Sequence, residues 1–276
     1  MANFDQPNSD VSCLRIAGFG ACMISGYPHE GAGFFEVACR SIEKRLLRPV
    51  KSKTVSLGGF PAPRAEKYLR KKVFDFNPHY IVIQCGATDA QCPIRATSRP
   101  ADNTHPVPGV SAHAGYQNKS SGFLSTGLNQ VGRTTHDTPY GILSPVRWEL
   151  ASAIGFLRRI EPITPLSSYI LAMRRMVEDC ISTDITPVVL SPFVYGSRYT
   201  TRKAIVYTNA LQELCLTLRG AVFIDCMRAL EAFPRSMTLM NDGFHLSAKA
   251  HNLIGEVIGQ TIAADVTSLK QERRAA

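Results

Sequence analysis

The feature that most constrains this chain is the segment HYIVIQCGATDA, in which Tyr80 to Cys85 is almost continuously apolar and stops at Gly86. A strand that is apolar on both faces has to be covered on both faces. That is the mark of a parallel sheet lying between two helix layers. Two later stretches, TPVVLS (186–191) and AVFID (221–225), have the same character. An earlier one, CLRIAGFG (13–20), reads as a first strand ending in glycines, and KTVSLGG as a strand closing on Gly58 and Gly59.

Helical spacing of apolar and charged residues lies between these segments. It runs through FFEVACRSIEKRLL within 33–47, which Pro49 ends, and through PRAEKYLRKKVFDF, broken by Asn77-Pro78. SSYILAMRRMVEDCI, RKAIVYTNALQELCLTLR and SAKAHNLIGEVIGQTIAADV follow the same period. The alternation predicts an α/β fold, a three-layer α/β/α sandwich around a central, mostly parallel sheet. We expect a short flexible segment at 1–12, one domain over 13–266 and a mobile tail at 267–276, its end (270–276) solvated.

Residues 91–146 interrupt the pattern. They are rich in Pro, Gly, Ser, Thr and His, without a sustained period, and are read as a long insertion: a lid, an arm through which copies of the chain associate, or a partly disordered segment. Their histidines, His105, His113 and His136, are too dispersed to argue for a metal site, and neither a metal nor a cofactor is expected.

The start of the chain is polar, and no apolar run approaches a bilayer-spanning length, so neither a secretory signal nor a membrane span is expected. Cysteines stand at 13, 22, 39, 85, 92, 180, 215 and 226, with no CxxC pair among them. They read as free thiols of a reducing compartment, which places the protein in the cytoplasm. The net charge of +9 is spread over clusters at 43–53, 64–72 and 173–176 with no aromatic interleaving, a pattern that does not favour nucleic acid. A small acyl substrate, anionic in one reading, fits the positive field as well.

Open parallel sheets bind ligands beyond the carboxyl ends of their strands. Four suggestive pieces fall at such ends or beside the last helix: GFGACMISG (18–26), LGG (57–59), CGATDA (85–90) and NDGFHLS (241–247). Cys22 follows a glycine turn at the expected start of a helix, where the first amides and the local dipole favour a reactive thiolate. Ser25, three residues on, would lie roughly 4.5 Å deeper by helical rise. Asp242 precedes His245 by three positions, so its carboxylate can hold one ring nitrogen and leave the other facing a nucleophile. The N–H groups of Cys22 and Gly58, with Thr88, are the candidate oxyanion donors. Asp89 adjoins Thr88, and its role is left open, turn formation alone being one reading.

In this arrangement the chain resembles the SGNH, or GDSL-like, hydrolases from Leu14 to about Ala264, apart from 91–146. Gly20-Ala21-Cys22 stands for Gly-Asp-Ser, Gly58 (with Gly59 as the fallback) for the oxyanion glycine, Gly86-Ala87-Thr88-Asp89 for Gly-x-Asn-Asp, and Asp242-Gly243-Phe244-His245 for Asp-x-x-His. The resemblance implies a flavodoxin-like fold and hydrolysis or transfer of acyl groups from esters or thioesters. It departs at Cys22, where serine is expected, and at Thr88, where asparagine is expected. Two other functions stand beside acyl transfer: a degenerate member that binds a ligand or protein without turnover, and a polyanion binder using the basic clusters.

Overall fold

In the computed structural model, residues 13–28, 31–92, 144–193, 197–240 and 244–275 are described. Most of the insertion, with all three of its histidines, lies outside them, as does Asp242.

Strands β1 (Leu14–Gly20), β2 (Val50–Ser56), β3 (Tyr80–Gln84), β4 (Thr186–Leu190) and β5 (Val222–Ile224) form one five-stranded sheet in the order β2-β1-β3-β4-β5, every pair parallel. Register places Gly20 between Ser56 and Gln84. The order reverses at β1, so the crevice between the carboxyl ends of β1 and β3 is the topological switch point at which such sheets hold ligands.

Alternation along the strands sorts the core into two layers. Ile16, Tyr80, Val82, Val188 and Leu190 face a layer built on α1 (Phe34–Leu46) and α8 (Ala248–Ala275). Ala17, Phe19, Ile81, Ile83 and Val189 face α2 (Ala62–Val73), α4 (Leu166–Ile181) and α5 (Arg198–Thr217). The three-layer α/β/α sandwich is therefore the architecture of this chain. β3 is buried at all five positions, and each large apolar side chain removed from water there contributes about 1.5–3 kcal/mol. This is why the centre of the sheet reads so plainly in the sequence.

Three elements differ from the sequence-based expectation. Cys22 opens a four-residue 3-10 turn (Cys22–Ser25), not a long helix, because Gly26 closes it in the left-handed conformation at φ 90°. A helix absent from the prediction, α3 (Ser144–Arg158), begins inside the stretch read as insertion and packs on α5. Gly155 leaves room there for the Tyr199 ring, and the Tyr199 hydroxyl donates to the Ile160 carbonyl at 2.8 Å. Finally, α8 runs on to Ala275, through residues expected to be a mobile tail. The stretch TSLKQERRA contains no glycine or proline to stop it. The short helices α6 (Cys226–Glu231) and α7 (Arg235–Thr238) precede the loop that carries His245.

The basic clusters are partly tied down. Arg70 reaches Asp179 at 2.7 Å and Arg175 reaches Glu66 at 3.5 Å, both across α2 and α4, and Arg45 reaches Glu256 at 3.3 Å between α1 and α8. These three arginines lie on the wet faces of packed helices. Among the described residues no helix is long and apolar enough to cross a membrane.

Candidate active site

β1 delivers Cys22. The approach of β1 to β3 at this point depends on glycine: a Cβ on Gly20 would stand 2.0 Å from the Gln84 carbonyl oxygen. With that space clear, the Ala21 N–H donates to the same oxygen at 2.9 Å, and the chain turns up over the end of the sheet with Cys22 half-buried. The Ser25 hydroxyl donates to the Cys22 carbonyl at 2.8 Å. Ser25 is exposed, not deeper than Cys22.

The segment before α8 delivers His245. Leu239 and Leu246 form an antiparallel bridge, and the Met240 N–H donates to the His245 carbonyl at 2.8 Å. Leu246 is fully buried in the α1/α8 layer and Ser247 accepts the Ala250 N–H at 3.3 Å, so the histidine sits on a loop pinned at both ends. The edges of Tyr27 and Phe244 meet its ring at centroid distances of 5.7 and 5.0 Å. In this frame the Cys22 Sγ lies 4.0 Å from the His245 Nε2. Two residues that are 223 positions apart in the chain are thereby brought into contact, as the sequence reading required. Asp242, the expected partner of the other ring nitrogen, falls outside the described residues.

The two middle pieces converge on the same edge. The Leu57 N–H donates to the Gly20 carbonyl at 2.8 Å, which carries β2 alongside β1 into the Gly58–Gly59 turn. Gly58 has φ +60° with no neighbouring atom within 4 Å of a built Cβ, so its glycine serves the backbone conformation and open space rather than packing. A side chain on Gly59 would begin 3.9 Å from the Thr88 Oγ1, which places that hydroxyl beside the turn. Thr88 itself is half-buried.

Asp89 is where the sequence reading fell short. It is fully buried, and its carboxylate oxygens accept the Ala62 N–H at 2.9 and 3.1 Å, at the first turn of α2. The local N-cap residue, Pro61, has no side-chain hydrogen bond to offer, so Asp89 supplies the missing acceptor from another loop. Burial raises its pKa above the ordinary carboxylate range, against hydrogen bonds from the Thr164 side chain and the Ala62 N–H. The Thr164 N–H donates back to the Asp89 carbonyl at 3.2 Å, and Tyr207 donates to the Thr164 carbonyl. Asp89 thus does more than form a turn: it fixes the start of α2, three residues beyond the Gly58–Gly59 turn, to the loop that carries Thr88. No local pattern announces this, since Asp89 and Ala62 are 27 positions apart.

All eight cysteines are free. Burial pushes the thiol of Cys92 up to about 11 and those of Cys39, Cys180 and Cys215 up to about 12, and raises Cys85 and Cys226 as well. These six thiols stay protonated at neutral pH and act as core residues. Among the described residues no group of three or more His, Cys, Asp or Glu is placed to hold a metal ion.

Fold and site together define a flavodoxin-like α/β/α protein with a thiol and an imidazole at the switch-point crevice. Solved structures share that fold at low identity. The lipase/acylhydrolase from Enterococcus faecalis is 16% identical, with a TM-score of 0.58 over 91% of this chain and 96% of its own. The esterase EstA from Pseudoalteromonas sp. is 11% identical, with a TM-score of 0.55 over 92% and 98%. The family 3 carbohydrate esterase from Clostridium thermocellum is 9% identical, also with a TM-score of 0.55 over 92% and 98%. Neither a family model nor a curated protein matches this sequence.

Proposed function

We propose that this protein cleaves or transfers acyl groups of carboxylic esters or thioesters through a Cys22–His245–Asp242 nucleophilic mechanism. The observation that carries the reading is the 4.0 Å contact between Cys22 Sγ and His245 Nε2 at the β1/β3 crevice. The structural neighbours named above are described as lipase/acylhydrolase, esterase and carbohydrate esterase, which supports cleavage of an acyl ester here.

In the first half-reaction His245 takes the Cys22 proton and the sulfur attacks the acyl carbon. The oxyanion is met by the N–H groups of Cys22 and Gly58 and by the Thr88 hydroxyl, donors held in place before charge develops. His245 returns the proton to the leaving group, leaving the acyl group on sulfur. In the second half-reaction His245 takes a proton from water, or from another acceptor, as its oxygen bonds to the acyl carbon; the C–S bond breaks and the departing Cys22 sulfur takes the proton back from His245. Asp242 holds the imidazole in the required tautomer and stabilises its cationic form.

Mixing the protein with an activated acyl ester tests this. The expected result is a burst of leaving group with one acyl equivalent found on Cys22 by mass spectrometry. An acylated ligand that binds tightly and is recovered unchanged after long incubation would instead identify a binding module.

A further inference from the structure

The inference that follows rests on the acyl-transfer reading and concerns the donor. Sulfur is the nucleophile in contact with the ring: Cys22 Sγ stands 4.0 Å from Nε2, while the hydroxyl on the same turn, Ser25, is spent on the Cys22 carbonyl at 2.8 Å. The six buried thiols are held protonated within the core. We infer that acyl thioesters, rather than alkyl oxyesters, are the donors this site is built to use.

The reason lies in how the tetrahedral intermediate collapses. After attack, the carbon carries the Cys22 sulfur, the oxyanion and the donor's leaving atom, and the weaker base is expelled. With a thioester the two competing groups are both thiolates, leaving groups of the same kind. One C–S bond forms and one breaks, the departing thiolate takes the proton from His245, and the exchange is close to balanced. With an alkyl oxyester the departing group is an alkoxide, comparable in basicity with hydroxide, whose conjugate acid ionises near ~15.7. The intermediate then returns the Cys22 thiolate unless the oxygen is protonated as it leaves. Exchanging an ester for a thioester is also uphill, because sulfur donates less electron density to the carbonyl than oxygen does.

Thr88 points the same way. Its side chain has a single O–H to offer, where the asparagine of the resembled motif has two N–H donors. A thioester carbonyl is the more electrophilic of the two and depends less on the donors around it. Water then cleaves acyl-Cys22, so the net reaction turns a thioester and water into a carboxylic acid and a thiol. The reactions that feed such a site are those that load acyl groups onto thiols.

The test uses pairs of donors that differ in one atom: the S-acyl ester of N-acetylcysteamine and the O-acyl ester of N-acetylethanolamine, each with acetyl, butyryl and octanoyl groups. Values of kcat/KM are divided by the hydroxide-catalysed rates of the same compounds. The wild-type protein is expected to favour the thioester by about 100-fold, and Cys22→Ser to move that ratio toward the oxyester by at least about tenfold. Equal use of both donors by the wild type, with the acyl group found on Cys22, would overturn the donor assignment while leaving acyl transfer standing. Failure of every donor to acylate Cys22 would remove both.

Discussion

The loops that leave β1 and β3 start side by side and hold their polar groups in opposite ways. Beyond β3, Asp89 is fully buried and its carboxylate is engaged by the Ala62 N–H and the Thr164 side chain. Beyond β1, Cys22 is half-buried, and the imidazole it meets lies 4.0 Å away, on a loop that arrives from the far end of the chain. One junction, the closed one, is fully buried; the other, the open one, is half-buried with sulfur and ring in contact. The same sheet edge thus supplies a hydrogen-bonded platform and, next to it, the proposed nucleophile and base. Changes at the open junction should remove chemistry and spare the fold, and changes at the closed one should do the reverse.

The largest expected effect breaks the open junction. Cys22→Ala and His245→Ala should each lower acyl turnover by about 10³-fold or more, since a nucleophile and its base act as a unit. Their unfolding midpoints in urea should stay near that of the wild type, because neither side chain lies in the fully buried core. A large loss of stability in either variant would mean that the two junctions are not distinct in kind.

Next in size is Thr88→Val, which keeps the shape and deletes the hydroxyl beside the Gly58–Gly59 turn. Losing one oxyanion donor should lower kcat about tenfold to 100-fold with little change in KM, because the hydroxyl is needed most once charge has formed. Steady-state kinetics on the donor that acylates Cys22 most readily would show it. An equal rise in KM would reassign Thr88 to substrate binding.

The closed junction should answer in stability instead. Asp89→Ala leaves the Ala62 N–H and the Thr164 hydroxyl without their acceptor and should cost about 1–3 kcal/mol, read from the denaturation midpoint. The activity that remains reports how far the start of α2 sets the Gly58–Gly59 turn.

What the sequence made legible follows the range of the interactions involved. The central strand could be read because burial on both faces leaves an uninterrupted apolar run, and glycines mark the turns at its end and at the end of β1. Cys22 and His245 could be paired because each sits beside a recognisable turn, although their contact spans most of the chain. Asp89 could not be assigned its role, since an aspartate in a turn looks the same whether it faces water or holds a helix 27 residues upstream. The Ser144–Arg158 helix was hidden for another reason. Leu150, Phe156 and Leu157 are all substantially exposed, so its apolar residues do not mark one clean buried face, and it follows directly on a stretch without period.

The smallest effect is a matter of pH. Burial holds the Asp89 carboxyl group above the usual carboxylate range in the folded protein, so the folded state keeps this proton more tightly than the unfolded chain, where Asp ionises near ~3.9. The stability linked to that proton is complete below the unfolded value and is lost as pH rises through the folded one. Asparagine at position 89 can still accept the Ala62 N–H but cannot titrate. The stability advantage of the wild type over Asp89→Asn should therefore be greatest in acid and should shrink steadily toward neutral pH. Urea unfolding of both proteins at a series of values from about pH 4 to about pH 8 measures that difference directly. An advantage that grew with pH would mean that the carboxylate is stabilised as an anion by its hydrogen bonds, and that the closed junction is held by charge rather than by shape.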